Sequence, residues 1–82
     1  MTTTDKIEEA RAAVAAAERA VLDAAGVWRR LDMDHACVVL GVLPGNEQDT
    51  QDAANNGLRE VRIKLDNLCV AHARLAELER GA

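Results

Sequence analysis

Ile7, Val14, Val21, Trp28, His35 and Val42 follow one another every seven residues, and Ala10, Ala17, Ala24, Leu31 and Val38 each come three residues after one of the first five. This is a two-row heptad seam held in one phase, the pattern of a helix that buries one stripe along its whole length. It predicts a helix from about residue 5 to 42, with Thr4 or Asp5 as N-cap and Glu8 and Glu9 in the first turns, where the helix dipole favours acids. The stop is the stretch from Gly41 to Gly45, in which Pro44 cannot continue the hydrogen-bond ladder. Gly26 and Asp32-Met33-Asp34 are poor helix formers, yet the phase passes through them without a shift, so one unbroken helix is expected.

A second seam follows. Leu58, Leu65 and His72 form one row, and Ala54, Val61, Leu68 and Leu75 the other. A helix over about residues 50–80 accommodates them, with Asp49 or Thr50 as N-cap and Gly81 as the stop. Asn55-Asn56-Gly57 also reads as a turn, which allows a start as late as 57. Glu60 and Lys64 are spaced i, i+4 in the order that supports a helix. Two helices joined by a turn over about residues 43–49 make an all-α antiparallel hairpin, a single domain spanning residues 1–82. With the turn centred near residue 46, position i should face roughly position 93 − i.

Composition narrows the functional classes. Alanine supplies 16 of the 82 residues, and there is no Phe, Tyr or Ser. With Trp28 as its single aromatic residue the chain lacks the stacking platforms that bind single-stranded nucleic acid. A net charge of −4 has the wrong sign for a duplex-binding patch. No nucleic-acid partner is therefore expected. The acidic residues are interleaved with arginines, as on a solvated helix face. No apolar stretch reaches the roughly 20 residues of a membrane span, so no membrane partner is expected. The first residues lack a secretory pattern, and two cysteines outside any disulfide framework suit a reducing, cytoplasmic setting.

The seam does not account for every apolar residue. Met33, Cys37 and Leu40 recur at i, i+4 and i+7 with Ala36 beside them, and Ile63 and Val70 add a row on the second helix. A two-helix core rich in alanine buries little area, so such a stripe is expected to serve as a contact surface. Its nearest use is self-association into a dimeric four-helix bundle. Met33, Ala36, Cys37, Leu40, Ile63 and Val70 are the interface candidates, with Trp28, the largest side chain, as packing anchor.

Candidate chemistry is sparse. Cys69 and His72, at i, i+3, are weak metal-ligand candidates, but no CxxC or HExxH pattern accompanies them. His35 and His72 fall on seam positions, where a polar residue fixes register and, if buried, makes pairing sensitive to pH near neutrality. Cys37 and Cys69 are the available nucleophiles, and neither sits at a predicted helix start or strained turn. The expectation is a non-enzymatic protein–protein interaction module without a cofactor, a homodimeric scaffold or adaptor. The alternative is a small inhibitor, in the style of those encoded by phages, that occludes a larger protein or complex; a metal-dependent regulator ranks below both.

Overall fold

The computed structural model describes residues 2–81, and these form two helices, α1 (Thr3–Val39) and α2 (Glu47–Arg80). They pack side by side as an antiparallel hairpin measuring 58 × 15 × 13 Å. No strand occurs among the described residues. Both long helices are unbroken: α1 runs through Gly26 and Asp32-Met33-Asp34, and α2 runs through Asn55-Asn56-Gly57.

Local chemistry places the helix ends a few residues from the expected positions. α1 begins at residue 3 rather than about 5, because Thr2 and Asp5 form a capping box. The Asp5 amide donates to Thr2 Oγ1 at 3.2 Å, and the Thr2 amide donates to Asp5 Oδ2 at 3.4 Å. α1 ends at Val39 rather than near 42. Gly41 takes a φ of +77°, its amide donates to the Val38 carbonyl at 3.1 Å, and the Val42 amide donates to Cys37 at 2.9 Å. This paired arrangement is a Schellman motif, which needs the left-handed conformation that glycine adopts without a Cβ penalty. Val42, expected as the last seam residue, therefore lies in the turn and is exposed. α2 begins at residue 47, before either expected start, because Asn46 caps it. Asn46 Oδ1 accepts from the amides of Gln48 at 2.8 Å and Asp49 at 3.1 Å. At the far end Gly81 is the C-cap, as expected.

These ends move the centre of the turn from about residue 46 to about 43, and the register moves with it. Gly57 lies against Trp28 and Leu31, His35 meets Thr50, and Arg11 meets Glu79. Position i thus faces roughly position 86 − i, one heptad from the expected pairing. A heptad pattern looks the same after a shift of seven, so periodicity could not distinguish the two registers; the caps do.

The α1 seam is as expected up to Val38. Ala10, Val14 and Val38 are buried, and the intervening seam residues, Trp28 among them, are half-buried. On α2 one expected row holds, with Ala54 and Val61 buried and Leu68 and Leu75 half-buried. The other row is not Leu58, Leu65 and His72. It is Gly57, Lys64, Ala71 and Leu78, which are buried or half-buried, while Leu65 and His72 are exposed and Leu58 is half-buried. The core is accordingly thin. Among the described residues its buried apolar side chains are Ala10, Val14, Val38, Ala54 and Val61, and no large one is fully enclosed. Alanine and valine offer little area to bury, so the helix–helix contact contributes modestly to stability.

Candidate interaction surface

Small side chains in the seam leave a trough beside it. Ala20, Ala24 and Gly57 fill little volume where α1 and α2 cross mid-length, and an open groove of about 390 Å³ remains there. Its floor and walls are Ala20, Ala24, Val27 and Gly57, with Asp23, Glu60 and Lys64 at its polar edges. Gly57 is essential to this closeness. A Cβ built on it would stand 3.1 Å from Leu31 Cδ1 and 3.4 Å from the Trp28 Cα. Along the same flank towards the chain ends a smaller depression of about 100 Å³ is lined by Glu9, Ala10, Ala13, Ala71 and Arg74. One flank of the hairpin is therefore a shallow, mostly apolar channel.

The interface candidates do not form one continuous face. Met33 and Leu40 are 65% and 77% exposed, on a row with Gly26 about 180° around α1 from the seam. Ala36 is exposed beside them and Cys37 is half-buried. Ile63 and Val70 are exposed on α2, on the row that borders the Glu60 wall of the groove. With the corrected register Val70 lies level with about residue 16 of α1, in the open half rather than the turn half. The expected stripe is thus two patches: an outward one at the turn end of α1, and a groove-side one on α2. Val27 and Leu22, which lie outside the seam, and Leu65, expected on it, are also exposed. Val27 belongs to the groove, while Leu22 and Leu65 fall on the opposite flank by helical spacing.

The polar candidates are separated as well. His35 is half-buried, with Nδ1 2.8 Å from Thr50 Oγ1. His72 is exposed and stands outside the seam, so it does not set register. Neither histidine is buried, which removes the premise of a pH-sensitive seam. Cys37 and Cys69 are free thiols, half-buried and exposed respectively. Among the described residues no three His, Cys, Asp or Glu side chains gather to hold a metal ion, so Cys69 and His72 lack a third ligand. Arg29 and Arg30 are exposed beside Trp28. Arg11 Nη2 and Glu79 Oε2 are 3.6 Å apart near the open end, on exposed side chains that contribute little. Among the described residues neither Asp23, Glu60 nor Lys64 closes an ion pair within the chain. No described helix is long and apolar enough to cross a membrane. No protein-family model, curated protein or solved structure matches the chain.

Proposed function

We propose that this chain is a non-enzymatic protein–protein interaction module, a homodimeric helical scaffold or adaptor. One observation carries the reading. The chain exposes 6062 Å², whereas a compact monomer of its 8.8 kDa mass exposes about 4,800 Å². The excess of about 1,300 Å² is more than one partner contributes to an interface of standard size, about 800 Å². Much of it is apolar. Val27 and Val70 are more than half exposed on the groove flank, where Ile63 is also exposed, and together they make a contiguous apolar contact area for a second copy. The thin core points the same way, since a second copy would supply the burial that two helices cannot supply to each other.

Sedimentation equilibrium across a micromolar range tests this directly. A mass near twice that of the chain supports the reading, and the chain mass at every concentration opposes it.

A second reading has its own observation. Met33 and Leu40 face away from both the seam and the groove, so a dimer formed through the groove leaves them free. They would then engage a different protein, as in a small inhibitor that occludes a larger complex. Leu40→Asp separates the two roles: it should abolish binding of such a protein and leave the dimer intact.

A further inference from the structure

We infer that a second copy of this chain docks on the groove flank with its turn at the opposite end, about a two-fold axis that crosses the helices at mid-length. This rests on the interaction-module reading above and adds the surface, the direction and the register. The midpoint between the turn and the open end falls near residue 23 of α1 and residue 62 of α2, and the groove lies at that level. An axis there overlaps the two hairpins over their full 58 Å, which maximises the area covered. Any other level leaves an overhang.

The residues around that level are complementary to themselves. A two-fold interface places each residue against its counterpart at an equal distance beyond the axis. On α1, Val27 then falls opposite Ala20 of the second copy, so the largest apolar side chain of the groove meets one of its smallest. On α2, Lys64 falls opposite Glu60 of the second copy, and the reverse pair forms by symmetry. Two Lys64 ammonium groups near the axis meet two Glu60 and two Asp23 carboxylates, so the lysines offset half of the acidic charge at the centre. The same Lys64 has no ion-pair partner among the described residues of its own chain. Ile63 and Val70 border the groove and widen the apolar contact. The hairpins placed with both turns at one end would instead set Val27 against the Glu60 region of the second copy, with a valine facing a carboxylate, and Asp23 against its Lys64.

Three variants of the full chain, each checked for helicity by circular dichroism, test the surface. Val27→Asp changes an exposed residue, so the hairpin should stay folded while association weakens about a hundredfold or more. Leu22→Asp, on the opposite flank, should associate like the unchanged chain. Asp23→Cys, with Cys37 and Cys69 replaced by alanine, should form an intermolecular disulfide on mild oxidation, because residue 23 lies next to its own counterpart. An unchanged chain that stays monomeric overturns the homodimer itself. A dimer that survives Val27→Asp and dissociates with Leu22→Asp overturns the choice of flank alone. A dimer lost on Val27→Asp but without the Asp23→Cys cross-link overturns the direction of docking.

Discussion

His35 Nδ1 lies 2.8 Å from Thr50 Oγ1, a side-chain hydrogen bond that ties the end of α1 to the start of α2. The Thr50 hydroxyl also reaches the carbonyls of Asn46 and Glu47, at 3.2 and 3.1 Å, so the histidine is anchored to the first turn of α2. Thr50→Val keeps the shape and removes the hydroxyl. It should lower stability by about 1 kcal/mol, since a half-buried ring nitrogen loses its partner. His35→Leu combined with Thr50→Val should recover most of that loss, because both polar groups are then gone from a seam position that accepts an apolar side chain. Urea denaturation of the single and double variants gives the coupling; additive effects would show that the bond contributes nothing.

Two glycines inside helices should respond in opposite directions. Gly26 is exposed, and a Cβ there meets nothing within 4 Å. Gly26→Ala should therefore add about 1 kcal/mol through helix propensity, raising the melting midpoint by roughly 4–8 °C. Gly57 faces Leu31 and Trp28 at close range. Gly57→Leu should cost about 1–3 kcal/mol by forcing the helices apart, and it should also fill the groove. Equal responses at the two positions would mean that the helices do not approach at Gly57.

The turn is held by two independent devices. Gly41→Ala places a Cβ at φ +77° and should cost about 1 kcal/mol. Asn46→Ala removes the acceptor for the Gln48 and Asp49 amides and should cost about as much. The sites serve different helices, so in thermal or urea unfolding the double variant should show the sum of the two losses.

The hairpin itself is legible in the sequence because the heptad of α1 runs from Ile7 to Val38 in one phase and glycines and proline interrupt it once. Asn46 and Thr2 as caps were harder to see, since Thr4, Asp5, Asp49 and Thr50 are equally suitable residue types and geometry alone selects among them. The second row of α2 escaped for a clearer reason. Gly57 and Lys64 do not count as apolar, so hydrophobic periodicity points to Leu58 and Leu65 one position on. Yet glycine is the residue that two helices need to approach closely, and a lysine can lay its stem along a seam while its amine reaches water. The groove depends on this row and on the register, and neither is written in hydrophobicity. Val27 falls outside the heptad pattern because it precedes Trp28, which holds the seam position.

A monomer with so thin a core should gain stability from association. Its melting midpoint should rise with protein concentration, by up to about 1.4 kcal/mol of stability for each tenfold increase. A midpoint independent of concentration would mean that unfolding and association are not linked.

Sedimentation equilibrium of the unchanged chain beside Val27→Asp tests the central claim most directly. The groove-flank dimer predicts a mass near twice 8.8 kDa for the unchanged chain and near 8.8 kDa for the variant, with helical content preserved in both. The same mass for both proteins, whether one chain or two, would contradict it.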